Sequence, residues 1–194
     1  MHLLAFLLML ATPFWETLSP REWNNEQLML MLTDSPWAQT TTFREGSPAP
    51  IYLASAKPMR EAEAELLRRF TLKIGAANMP DSASRREYED FLAENDGKVV
   101  VIAIRNINLK ILAEAEEGKR MEEESYMKVG KKKIKLSGHF PPTPADPVLR
   151  LIFPRPAELG KEIQFELYMA GFTGPYRSAI FKLKDLVYKG KTEL

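Results

Sequence analysis

Ile163-Gln164-Phe165-Glu166-Leu167-Tyr168-Met169 places an apolar side chain at every second position for seven residues. A period of two puts Ile163, Phe165, Leu167 and Met169 on one side of an extended chain, the pattern of a strand with one face buried. The same rhythm occurs at Lys133-Ile134-Lys135-Leu136, at Leu149, Leu151 and Phe153, and at Ala179, Phe181 and Leu183. Turn-forming clusters at residues 141–144, 154–160 and 171–175 separate these runs, so the last third of the chain is predicted to be a meander of half-buried antiparallel strands.

Upstream of residue 126 the period is helical, with two extended interruptions. Ser19-Pro20-Arg21-Glu22 has the form of a capping box with proline at the first helical position, and predicts a helix to about Leu32. Pro36 disfavours helical geometry at Ser35 and ends it. The polar residues 39–50 read as a loop and residues 51–56 as a short strand. Pro58 opens a helix whose apolar face is Met59, Ala62, Leu66, Leu67 and Phe70. Ser84 to Glu87 suggests a second capping box, and Asn95-Asp96-Gly97 a helix stop. Val99-Val100-Val101-Ile102-Ala103-Ile104 is apolar on both sides, as expected of a central strand covered on both faces. Residues 108–126 are rich in Ala, Glu and Lys and read as helix, supported by the pairs Glu116–Arg120 and Lys119–Glu123. Segregation of helices and strands along the chain predicts an α+β fold: an antiparallel sheet of about five or six strands, with three or four helices packed mainly on one face.

The chain of 194 residues is long enough to bury a core, and its net charge of +1 gives no strong overall field. Residues 1–97 carry nine Lys or Arg against fourteen Asp or Glu, and residues 98–194 carry eighteen against twelve. In one folded body the two halves attract each other. There is no cysteine, which removes disulfides, thiol nucleophiles and cysteine metal sites. His2 and His139 are the two histidines, too few for a histidine metal cluster, and no glycine-rich nucleotide loop occurs. No cofactor is expected. Residues 3–11 form an uncharged apolar run of signal-core size, about half of what crosses a bilayer. Residues 1–12 are therefore expected to be an export leader and residues 13–194 a single α+β domain, periplasmic or secreted, with no stable membrane anchor once the leader is removed.

Leu32-Thr33-Asp34-Ser35-Pro36-Trp37-Ala38, then Ser55-Ala56-Lys57-Pro58-Met59-Arg60, and the closing Phe181-Lys182-Leu183-Lys184-Asp185-Leu186-Val187-Tyr188 follow the apolar leader in order. This arrangement resembles a family of uncharacterised exported bacterial proteins with a Thr-Asp-Ser-Pro-Trp segment near the mature N-terminus. The resemblance implies export and a full-length single domain, and it transfers no catalytic residue.

Five residues stand out as candidate binding positions. Asp34 and Trp37 combine a carboxylate with a large aromatic that could anchor a ligand, or else cap a turn and plug the core. Ser55 and Arg60 flank a strand-to-helix join of the kind that can hold an anion, although Pro58 removes a donor there. His139 is a candidate base beside Asp146, without the Gly-x-Ser-x-Gly or His-Glu-x-x-His setting of a known hydrolytic site. The lysines at 128, 131, 132, 133 and 135 could face a polyanion, but they fit better as guards of a sheet edge. The sequence thus favours a non-catalytic binding or interaction module for an unknown protein or small-molecule ligand and no nucleic acid. The alternative is a hydrolase using carboxylates and His139.

Overall fold

The strand alternation resolves into two antiparallel sheets with helices laid against them. The computed structural model describes residues 12–42, 48–80, 82–106, 114–169 and 174–194. All but the last residue of the predicted leader, and residues 108–113 of the predicted 108–126 helix, lie outside the described residues. The helices are α1 (Phe14–Thr17), α2 (Asn25–Thr33), α3 (Lys57–Ile74), α4 (Ala83–Glu94) and α5 (Ala115–Glu124). The strands are β1 (Ala38–Thr42), β2 (Pro48–Leu53), β3 (Val99–Arg105), β4 (Tyr126–Val129), β5 (Lys132–Lys135) and β6 (Gly138–Phe140). They continue with β7 (Val148–Pro154), β8 (Glu162–Tyr168), β9 (Tyr176–Lys182), β10 (Val187–Tyr188) and β11 (Lys191–Thr192).

The first sheet has the order β1-β2-β3-β7-β6 and the second β5-β4-β8-β9, while β10 and β11 form a small hairpin. The fold is α+β. The strands of the last third do not stay in one meander, because β6 and β7 join the first sheet while β4, β5, β8 and β9 make the second. The reason is visible in β7, where Val148 to Phe153 are all buried. A strand covered on both faces belongs in the middle layer, and it pairs with the equally apolar β3 over seven residues.

Cross-strand partners share a face, so register assigns the layers. Tyr52, Ala103, Arg150 and Phe140 form one row across the first sheet. That row faces α3 and α4: Tyr52 bonds Glu63, Arg150 stacks on Tyr88, and Phe140 packs edge-on to Tyr88 and Phe91. The other face carries Phe153, whose ring meets Phe165 of β8, which meets Phe181 of β9. The first sheet is therefore sandwiched between two helices and the second sheet.

Four local expectations shift. Ser19 and Glu22 do bond each other, at 2.8 Å from both the Ser19 backbone N–H and its hydroxyl, but they close a turn instead of a helix. Trp23 must reach the core, where it is buried against Phe14, and α2 starts after it with Asn24 and Gln27 as the true capping box. The polar stretch read as a loop contains β1 and the start of β2. Pro48 and Pro50 are tolerated there because β2 pairs with β3 only from Ile51 onward, so these prolines have a ladder neighbour on one side alone. The cap of α4 is Ser82, not Ser84, with its hydroxyl accepting from the Arg85 N–H. On α5, Lys119 lies 3.8 Å from Glu123 as expected, but Arg120 turns to Glu117 and Glu124 in place of Glu116.

Candidate functional site: a buried charge cluster under a cavity

Arg150 interrupts the apolar strand Val148-Leu149-Arg150-Leu151-Ile152-Phe153, and its residue is 2 % exposed. A guanidinium this deep requires partners. Nη1 lies 2.6 Å from Asp146 Oδ2, and Nη2 lies 3.4 Å from Glu63 Oε1. Asp146, itself 1 % exposed, is presented by a tight turn in which its N–H donates to the carbonyl and hydroxyl oxygens of Thr143. The Pro141-Pro142-Thr143-Pro144 cluster leads the chain into that turn.

The cluster extends along both helices. From α4, Arg85 Nη2 reaches Asp146 Oδ1 at 2.8 Å. From α3, Glu63 accepts a 2.5 Å hydrogen bond from the Tyr52 hydroxyl. That hydroxyl in turn accepts from Arg105 Nε at 3.2 Å, and Arg105 Nη2 is 3.6 Å from Glu63. Three guanidinium groups, Arg85, Arg105 and Arg150, thus surround two carboxylates, Glu63 and Asp146. Burial alone would drive the Arg150 charge off, but Glu63 and Asp146 outweigh it and hold its pKa above the usual arginine value. Burial, reinforced by Glu63, keeps the Tyr52 and Tyr88 phenols protonated far above their usual range.

Above the cluster lies a cavity of about 330 Å³ between α3, α4 and the sheet. Ala64, Leu67, Leu92 and Ala93 give it an apolar wall, and Arg85, Tyr88 and Arg150 line it with polar groups. Arg60 and Glu89 add one charge of each sign to the lining. Tyr88 Oη and Arg150 Nε are shut off from solvent here, and the Arg150 guanidinium, 4.2 Å from the Tyr88 ring centre, is the charged neighbour of that hydroxyl.

Of the residues singled out from the sequence, Arg60 lines this cavity and also a smaller one of about 170 Å³ that Ser55, Asn95, Asp96 and the C-terminal Leu194 share. Ser55 and Arg60 are thus brought together, but the Ser55 hydroxyl is engaged, accepting from the Val101 N–H at 3.0 Å. Arg60 lies 3.9 Å from the exposed Asp96. Asp34 is exposed at the end of α2. Trp37 is fully buried, with its indole N–H donating to the Glu193 carbonyl. His139 is opposite Leu151 in the register, so it lies on the other face of the sheet from Arg150. Its Nδ1 is 3.1 Å from Glu122 Oε1, and Asp146 instead serves Arg85 and Arg150.

Sequence reading missed Arg150, Glu63, Asp146 as a salt-bridge partner, Arg85 and Tyr88. The one available signal was an arginine inside an otherwise apolar strand, because a charge is buried only where partners are supplied. Among the described residues, no group of three or more His, Asp or Glu side chains is arranged to hold a metal ion. No helix among them is long and apolar enough to cross a membrane. Compared with protein-family models, curated proteins and solved structures, the chain matches none.

Proposed function

We propose that this chain is an exported, non-catalytic binding module whose ligand site is the cavity between α3, α4 and the first sheet. The observation that carries the reading is a cavity of about 330 Å³ in which an apolar wall of Ala64, Leu67, Leu92 and Ala93 meets the polar side chains of Arg85, Tyr88 and Arg150. A concave apolar site with a few convergent polar groups is the usual form of a small-molecule pocket. Hydrolysis by His139 with these carboxylates is disfavoured by the register, which separates His139 from Glu63 and Asp146 by the thickness of the sheet. Among the described residues, no hydroxyl hydrogen-bonds the His139 ring, so its pairing with Glu122 completes no nucleophilic relay.

Export is supported by the uncharged apolar run at residues 3–11. The mass of the protein from its native host tests it: a periplasmic or secreted species lacking the run is expected, and a cytoplasmic species retaining it overturns export. The site is tested by ligand-observed NMR with a library of small molecules, run in parallel on Ala93→Trp, which fills the cavity from an exposed position on its wall. Compounds that bind the parent should lose binding to the variant. Hits that survive the substitution, or no hits at all, overturn the assignment of the site.

A further inference from the structure

We infer that the ligand of this cavity is an uncharged molecule with an apolar body; this rests on the cavity being the binding site. The balance of charge comes first. Arg60, Arg85 and Arg150 line the cavity together with Glu63 and Glu89. Arg60 is paired with Asp96, Arg85 and Arg150 with Asp146, and Arg105 and Arg150 with Glu63. Taken with these partners, the four arginines 60, 85, 105 and 150 are matched by Glu63, Glu89, Asp96 and Asp146, and the site carries no net charge. An ion of either sign therefore meets its own sign in the wall: an anion meets Glu63 and Glu89, a cation meets three guanidinium groups. It gives up hydration without gaining an uncompensated partner, a cost that a neutral group of the same size largely escapes.

The polar groups agree with the charge. Asp96 and Asp146, which hold the heads of Arg60 and Arg85, are not themselves lining residues, so these guanidinium groups are tied to carboxylates beyond the cavity wall. Long arginine stems cover apolar surface well while their heads stay with such partners. Arg150 is held in the same way by Asp146 and Glu63, with its guanidinium 4.2 Å from the centre of the Tyr88 ring. Arg150 Nε and the Tyr88 hydroxyl are closed to solvent and offer nothing to a ligand. What the site rewards is the burial of hydrocarbon against Ala64 and Leu67 of α3 and Leu92 and Ala93 of α4, in about 330 Å³, the small end of ligand cavities.

The test is NMR titration of the ¹⁵N-labelled full chain at pH 7 with two matched sets of one size each: hexanamide, hexanoate and hexylamine, then 3-phenylpropionamide, 3-phenylpropionate and 3-phenylpropylamine. The neutral amides should shift the backbone resonances of Ala64, Leu92 and Ala93 and bind at least about tenfold tighter than the anion or the cation of their set. Glu89→Gln, at an exposed position of α4, removes one negative charge from the balanced wall. In that variant the affinity of each acid relative to its amide should rise at least about threefold, and more at low salt than at high. An acid or an amine that binds the parent at the cavity as tightly as its amide overturns the inference and leaves the binding site standing. An acid-to-amide ratio that Glu89→Gln does not change does the same. No cavity shift from any compound overturns both the inference and the site.

Discussion

Trp37 shows how one side chain joins distant parts of the chain. Its ring is fully buried, edge-on to Trp15 on one side and to Tyr188 on the other, and its N–H donates at 2.9 Å to the carbonyl of Glu193. Trp37→Ala removes this packing and orphans a carbonyl, and should cost about 3–5 kcal/mol, read as a lower urea midpoint. Glu65 makes a different kind of latch. It is buried on α3, and hydrogen bonds from Arg68 foremost, then Arg69, hold its carboxyl at about 2 against the upward push of burial. Arg69 passes the connection on to the Trp23 carbonyl and Asn25. Because the folded-state pKa lies below the unfolded one, the stabilisation is complete above the ordinary carboxylate range and is lost as pH falls toward 2. Glu65→Gln should therefore destabilise the protein clearly at pH 7, and the gap in urea midpoint from the parent should narrow at pH 2.5. A gap that is the same at both pH values rejects the latch.

Among the elements, β5 is where sequence and structure agree most closely. It is an edge strand of the second sheet, with Ile134 buried and Lys132, Lys133 and Lys135 exposed. Lys133 and Lys135 share the outer face with Lys128 and Tyr126 of β4, and the Lys133 ammonium lies 4.1 Å from the Tyr126 ring centre. An open edge invites pairing with another chain, and like charges oppose that pairing. Replacing Lys131, Lys133 and Lys135 by Gln should speed aggregation, followed by light scattering, and leave affinity for DNA, RNA or heparin negligible. Salt-dependent binding by the parent that vanishes in the triple variant without aggregation would reverse this assignment. Strands such as β5 and β8 were legible because each has one buried face, so alternation records burial directly. The β1–β2 hairpin was not, because its outer strand is Gln and Thr and its inner strand begins Pro-Ala-Pro. Edge pairing satisfies the backbone there without leaving an apolar rhythm. Helix starts drifted for a related reason: several Ser and Asn residues could cap, and tertiary packing of Trp23 chose among them.

For the whole molecule, the sequence revealed the fold class but not which segments converge. Glu63, Arg85, Arg105, Asp146 and Arg150 come from five separate elements or turns, and periodicity along one segment carries no information about partners on another. What does follow from the layers is a test of whether they fold as one body. Buried side chains of α2, α3, α4 and both sheets belong to one hydrophobic cluster. All three tryptophans lie at one corner of it, linked through Phe14, Trp15 and Trp37 to Tyr188 near the C-terminus. The second sheet contains no tryptophan and meets the first through the ring sequence Phe153, Phe165 and Phe181. Phe165→Ala opens a cavity in the middle of that sequence and should cost about 3–5 kcal/mol. If the sheets unfold together, tryptophan fluorescence must report the loss although no tryptophan has been touched, and its urea midpoint must fall together with that of the far-ultraviolet circular dichroism. A fluorescence midpoint that stays at the parent value while the circular dichroism transition shifts or splits would show that the second sheet unfolds as a separate unit.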